Sequence, residues 1–180
     1  MINEQTLILL KPDTIQRNLV GKILDRFTMS GLKIKAMKML QASEEDAKNH
    51  YKLDEEWAMS VYQKSLASAK KEGRPFEYRD HMHIGETIQS WNMKFLMEGP
   101  IIALVIEGEN AIEVVRKIAG STEPSSAEKG TIRNDFAPTE SYALADSEKR
   151  VLRNLMHASD STETANYEIS LWFDEKELIN

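Results

Sequence analysis

Cysteine occurs nowhere in the 180 residues. Disulfides and thiolate-bound zinc are therefore excluded, and the composition agrees with a cytoplasmic setting. No apolar run approaches the roughly 20 residues that a membrane-spanning helix needs. The opening residues Met1 to Gln5 carry no basic cluster, and Leu7-Ile8-Leu9-Leu10 is too short for the hydrophobic part of a signal sequence. Basic residues are not in excess: 23 Lys and Arg stand against 29 Asp and Glu, for a net charge of −6. That balance disfavours a broad nucleic-acid-binding face, so an anionic substrate would need a local group of cations. Internal repeats and low-complexity tracts are also missing.

The length suits one domain, 1–180, with a real core. Thr6 to Leu10 is continuously apolar and reads as a fully buried strand ended by Pro12. Val20, Ile23, Leu24 and Phe27 recur at helical spacing, with Gly31 as the stop. Leu32, Ile34, Ala36 and Met39 suggest a second strand with lysines on its opposite face, and Ser43 is placed to cap a short acidic helix reaching Tyr51. Residues 53–92 predict two helical pieces broken near Gly73-Arg74-Pro75. Ile101 to Ile106 reads as another buried strand, and Ala111 to Ala119 as a helix ended by Gly120. Residues 120–139 read as a long loop, Val151 to His157 as a short strand, and Ser161 as the start of a last helix. Interleaved strands and helices imply an α+β or α/β layer arrangement, and the two β-α-β halves suit a ferredoxin-like one.

One segment suggests chemistry more strongly than the rest. His157 stands between apolar residues and the polar run Ser159-Asp160-Ser161, and Glu168 follows on the last helix. Imidazole is largely unprotonated near neutral pH and is suited to nucleophilic work. Glu168 lies seven residues beyond the capping Ser161, so its carboxylate can point back at a ring placed just before the helix. Lys11, in Lys11-Pro12-Asp13, projects from the end of a buried strand. Arg133, in Gly130-Thr131-Ile132-Arg133-Asn134-Asp135-Phe136, lies in the long loop, and Arg116 lies on a helix. Each cation taken alone reads as a solvated side chain, and together they suit phosphate. The turn Gly120-Ser121-Thr122-Glu123-Pro124 offers hydroxyls and N–H groups to an anion. His50, His81 and His83 read as core or surface histidines, and the nine methionines and Trp57, Trp91 and Trp172 as core.

Set in order, these segments resemble the nucleoside diphosphate kinase family. The resemblance runs through Lys11-Pro12-Asp13, Val20-Gly21, His50-Tyr51, Gly99-Pro100, Gly120 to Pro124, Gly130 to Phe136, Asn154 to Ser161 and Glu168 to Phe173. It implies a ferredoxin-like α/β sandwich with a four-stranded antiparallel sheet, and ping-pong transfer of a γ-phosphoryl group from nucleoside triphosphates to diphosphates. It implies that His157 is the nucleophile and becomes phosphohistidine, with Ser159 and Glu168 positioning its ring. Lys11, Arg116 and Arg133 would hold the polyphosphate, Tyr51 would support the phosphate pocket, and Thr122 would contact phosphate. Asn154 would bind the sugar and terminal phosphate region, while Mg2+ rides on the nucleotide phosphates. Homo-oligomers, hexameric or tetrameric, are implied as well. The alternative is a catalytically weak or inactive nucleotide-binding or interaction protein of the same fold, which retention of His157, Lys11, Arg116, Arg133, Asn154 and Glu168 argues against.

The chain departs from the family pattern in three places. Ala158 stands where the family usually has glycine, and alanine would be strained there if the position needs φ > 0. Residues 53–92 form a helical insertion, and 137–150 a second one. The family's base-stacking phenylalanine has no clear counterpart. Counting back from Gly99-Pro100 reaches Ile88, with Trp57, Phe76 and Trp91 as competitors and Val151 as the opposite apolar wall.

Overall fold

The computed structural model describes residues 3–179; residues 1, 2 and 180 of the expected 1–180 domain lie outside them. Four strands form one antiparallel sheet: β1 (Asn3–Leu10), β2 (Lys33–Leu40), β3 (Ile101–Glu109) and β4 (Met156–Ala158), in the order β2-β3-β1-β4. The apolar run of β1 has no polar face because both faces of the sheet are covered. Ile8 and Leu10 enter one apolar cluster with Ile23, Phe27, Leu104 and Val115. Leu7 and Leu9 enter a second with Ala103, Val105, Leu96 and Trp172. The alternation follows from the period of two along a strand.

The first cluster is closed by α2 (Val20–Thr28) and α6 (Ala111–Ala119), whose buried positions repeat every three or four residues. The second is closed by α3 (Glu44–His50), α5 (His81–Met97) and α9 (Thr162–Trp172). The remaining helices are α1 (Pro12–Gln16), α4 (Glu55–Glu72), α7 (Ile132–Phe136) and α8 (Tyr142–Ser147). Ser43 caps α3 in a reciprocal box with Asp46, and Ser161 caps α9 by accepting from the Thr164 N–H. The result is the ferredoxin-like α+β sandwich that the sequence predicts. No helix among the described residues is long and apolar enough to cross a membrane.

Several expectations change. The helical piece expected to end at residue 92 continues to Met97 as α5. The loop 120–139 contains a 3-10 turn (Pro124–Ser126) and α7, whose start Thr131 caps by accepting from the Asn134 N–H. Segment 137–150 holds α8. In β2 a register shift between Ile34 and Ala36 breaks the alternation, so Ala36 is buried while Ile34 and Met39 are exposed. The expected strand Val151 to His157 shrinks to Met156–Ala158. Leu155, held at φ 71 in a left-handed conformation, interrupts regular strand geometry just before β4.

Candidate active site

The end of β1 and the start of β4 are joined by a dense set of hydrogen bonds around Leu155. Its carbonyl accepts from the Lys11 backbone N–H at 2.8 Å and from the Thr14 hydroxyl at 2.6 Å. Its N–H donates to Asp13 Oδ2 at 3.1 Å, and Asp13 Oδ1 accepts from the Thr14 N–H at 3.0 Å. Asp13 is 3% exposed, and its burial raises its pKa above the ordinary aspartate value. The unfavourable backbone of Leu155 is thus fixed from both sides, two residues before His157. Conformations of this kind persist only where the surroundings over-determine them.

His157 pairs with Leu9 across β1 and β4, which places its ring beside α9. Its Nε2 sits in the fork of the Glu168 carboxylate, 2.8 Å from Oε1 and 2.9 Å from Oε2. Ser159 Oγ donates to Glu168 Oε2 at 2.6 Å and accepts from the Leu7 N–H at 3.2 Å, so the carboxylate is anchored to β1. Glu168 and Ser159 are buried, whereas His157 is partly exposed. A carboxylate only accepts, so the arrangement puts the ring proton on Nε2. Nδ1 has no hydrogen-bond partner among the described residues.

A second set of groups is centred on Asn154. Its Oδ1 accepts from Lys11 Nζ at 2.8 Å, its Nδ2 donates to the Thr122 carbonyl at 2.9 Å, and its own carbonyl accepts from Arg133 Nε at 3.2 Å. Arg133 also donates from Nη1 to the Gly120 carbonyl and from Nη2 to the Met156 carbonyl, each at 2.8 Å. One buried guanidinium therefore ties the turn at 120 to the strand carrying His157. Burial, and then the field of Arg116, lower the Arg133 pKa to about 10. Burial likewise lowers that of Lys11 to about 8, Asp13 opposing and Arg133 reinforcing the shift. Two buried cations around Asn154 are held there at an electrostatic cost that an anionic ligand would offset.

Tyr51 is half-buried at the end of α3, and its hydroxyl has no hydrogen-bond partner among the described residues. Burial, then Glu168 and Asp13, push its pKa above the usual phenol range, so it remains a neutral donor. Arg116 is exposed on α6 and lines a cleft with Glu4, Asn110 and Asp160. It reaches the Lys11–Arg133 group through its field and makes no hydrogen bond to that group. Thr122 is exposed, with its carbonyl engaged by Asn154. Val151 lines a pocket of about 140 Å³ with Trp91, Lys94 and Phe95, and Ile88 is not among the residues that line it. Ile88 does share a face of α5 with Asn92 and Phe95, at i, i+4 and i+7, and Lys11 Nζ lies 5.5 Å from the centre of the Phe95 ring.

Two participants are not legible as such in the sequence. Asp13 carries no signal of its own role, because its partner Leu155 is 142 positions away. His50, read above as a core or surface histidine, is buried against His157, with its ring centroid 4.5 Å from that of His157. His50, His157 and Glu168 bring ligand-type atoms within 4.8 Å of one another. The His157 and Glu168 atoms are already committed to each other, which argues against a resident metal at that point. Asp13 and Glu168, the buried carboxylates beside the histidine, are likewise occupied by protein donors.

An imidazole fixed by a carboxylate beside buried cations defines a phosphoryl-transfer type of site, and comparison with known proteins agrees. The family model described as nucleoside diphosphate kinase matches residues 4–73 and 68–178. A nucleoside diphosphate kinase of Pyrobaculum aerophilum is 43% identical over 180 residues, covering 98% of each chain. One of Methanocaldococcus jannaschii is 38% identical over 99% of each. The crystal structure of an NDP kinase from P. aerophilum superimposes with a TM-score of 0.95 at 41% identity, over 99% of this chain and 100% of that one. A transition-state mimic of the Borrelia burgdorferi nucleoside-diphosphate kinase with bound vanadate and ADP gives 0.79 at 34% identity, over 100% and 92%. The chain belongs to the nucleoside diphosphate kinase family and is a phosphotransferase of that family.

Proposed function

We propose that His157 carries the phosphoryl group in a ping-pong exchange between nucleoside triphosphates and diphosphates. The observation that carries this reading is the seating of Nε2 in the Glu168 fork, which leaves the Nδ1 lone pair available. Nδ1 attacks the γ-phosphorus of the Mg2+–nucleoside triphosphate; the N–P bond forms as the bond to the bridging oxygen breaks, and the diphosphate departs. No proton must be lost first, because the attacking nitrogen is unprotonated. The ring gains positive charge, which Glu168 opposes while Ser159 keeps the carboxylate in place. In the return half-reaction a terminal oxygen of the acceptor diphosphate attacks phosphorus, and the neutral imidazole leaves.

Lys11 and Arg133 supply fixed positive charge for the phosphates, and Arg116 supplies it from the cleft edge. Tyr51 offers its unpaired hydroxyl, Thr122 its side chain, and Asn154 a polar contact for the sugar and terminal phosphate. Phosphoryl transfer asks mainly for such alignment and charge stabilisation. The base rests between Val151 and the face of α5 that bears Ile88. Apolar contact without base-edge hydrogen bonds gives weak base selectivity. If Trp91→Ala raises KM more than Ile88→Ala, the base lies on the neighbouring face instead. Segments 53–92 and 137–150 are insertions within one kinase domain, the protein works as a homo-oligomer, hexameric or tetrameric, and the cysteine-free composition fits a cytoplasmic setting.

The direct test is incubation with γ-labelled ATP and Mg2+. Label that is acid-labile, base-stable and discharged by GDP is the expected result, with none on His157→Ala. Demonstrated binding without label would favour a nucleotide-binding protein that does not turn over.

A further inference from the structure

His50 is a buried titratable group packed against the His157 ring, and the reaction gives it no task. It is packed by four named neighbours. Tyr51 meets its ring edge-on at 4.7 Å, His157 at 4.5 Å and Trp172 at 5.8 Å between ring centres. Glu168 Oε1 lies 3.9 Å from its Nδ1. The Trp172 indole Nε1–H donates to that same Nδ1 at 3.4 Å, and His50 Nε2 has no hydrogen-bond partner among the described residues. An indole nitrogen is only a donor, so Nδ1 must present a lone pair, and the single proton of the neutral ring must sit on Nε2.

That choice is locally unfavourable, because it strands a buried N–H. The opposite tautomer would turn an Nδ1–H toward Glu168 Oε1. It would make His50 a third donor to a carboxylate already shared by His157 and Ser159. Glu168 and Trp172 are four residues apart on α9, one turn, so a single helix supplies the acceptor for one histidine and the donor for the other. We propose that the Trp172 indole N–H fixes His50 as its Nε2–H tautomer, and that this reserves the Glu168 carboxylate for His157. Trp172 and His50 are then positioning residues. Burial, reinforced by His157 and Lys11, also keeps His50 uncharged, so it does not enter an ion pair with Glu168.

This inference rests on His157 being the nucleophile, and its test separates the two claims. Nitrogen-15 NMR of the histidine-labelled chain reads the His50 tautomer without turnover, and single-turnover labelling from ATP–Mg2+ reads phosphoryl uptake. In the unsubstituted protein the His50 proton is expected on Nε2. In Trp172→Phe it should move to Nδ1, and uptake should slow by roughly ten- to a hundredfold, the range typical of outer-shell partners, with KM for nucleotide retained. Adding His50→Phe removes the competing donor and should restore most of the rate. A proton on His50 Nδ1 in the unsubstituted protein overturns the inference, as does a rate loss that persists in the double variant. Failure of the unsubstituted protein to take label would overturn the proposed reaction instead.

Discussion

At the scale of single residues, the charge proposed to hold phosphate is tunable because it is buried. Lys11 has a pKa near 8 when no polyphosphate is bound, so its ammonium is lost as pH rises through that value. A bound polyphosphate favours the charged form and moves the pKa upward. The expected pH–rate profile therefore has kcat/KM falling above about pH 8, and kcat falling only at higher pH. Coincident limbs would assign the titration elsewhere. The linked stability has the opposite sense: between about 8 and the unfolded value of 10.5 the unfolded chain binds more protons, so stability from this group rises with pH. Ala158 yields a second residue-scale prediction. It lies within β4 opposite Ile8, and it is not among the residues with positive φ. The family's usual glycine is not required by this backbone, and Ala158→Gly should lower stability by about 0.5–1 kcal/mol, measured by chemical denaturation. A stability gain would mean that alanine is strained there.

At the scale of elements, the joint between β1, α1 and the approach to β4 governs where His157 stands. Asp13→Ala removes the acceptor for the buried Leu155 N–H and releases Leu155 from φ 71, while the Thr14 N–H keeps the Lys11 carbonyl as its acceptor. A stranded buried N–H costs about 1–3 kcal/mol, so a loss of that order in urea denaturation is expected, together with slower labelling of His157. Unchanged stability would show that Leu155 does not depend on this brace. The same joint marks the limit of what the sequence discloses. Buried strands, amphipathic helices and caps such as Ser43 and Ser161 are local patterns, so β1, β3, α2, α3, α6 and α9 are legible. The His157–Glu168 pair is legible because its members are only eleven positions apart, with one helix cap between them. The left-handed Leu155, the shortened β4 and the role of His50 depend on partners more than a hundred positions away. The period along β2 misleads because the irregularity at Ile34 and Ala36 turns the strand over without a glycine or proline to announce it.

For the whole molecule, the β2 edge of the sheet carries apolar side chains that the described chain leaves exposed. β2 is the terminal strand of the order β2-β3-β1-β4; no further strand pairs with it among the described residues, and the C-terminal segment reaches it through the Ile179 N–H, which donates to the Lys35 carbonyl at 2.9 Å. The irregularity at Ile34 brings that side chain to the side of the strand that bears Met37 and Met39, and their exposures are 37%, 54% and 61%. Met29, just past α2, adds a fourth exposed apolar side chain at 79%. An edge strand with an apolar rim is a template for pairing with another chain, although the irregularity at Ile34 and the Ile179 contact blunt part of this edge. Lys35 and Lys38 are partly neutralised by Glu107 and Glu177, which weakens the protection that charge gives an edge. The proposed homo-oligomer should therefore be assembled through this edge. Light scattering is expected to give a multiple of the 20.6 kDa chain mass for the unsubstituted protein. A double variant, Met37→Lys with Met39→Lys, should give a smaller species because it places like charges where copies meet. Retention of the full assembly by that variant would move the interface off β2, and a monomeric unsubstituted protein would remove the oligomer altogether.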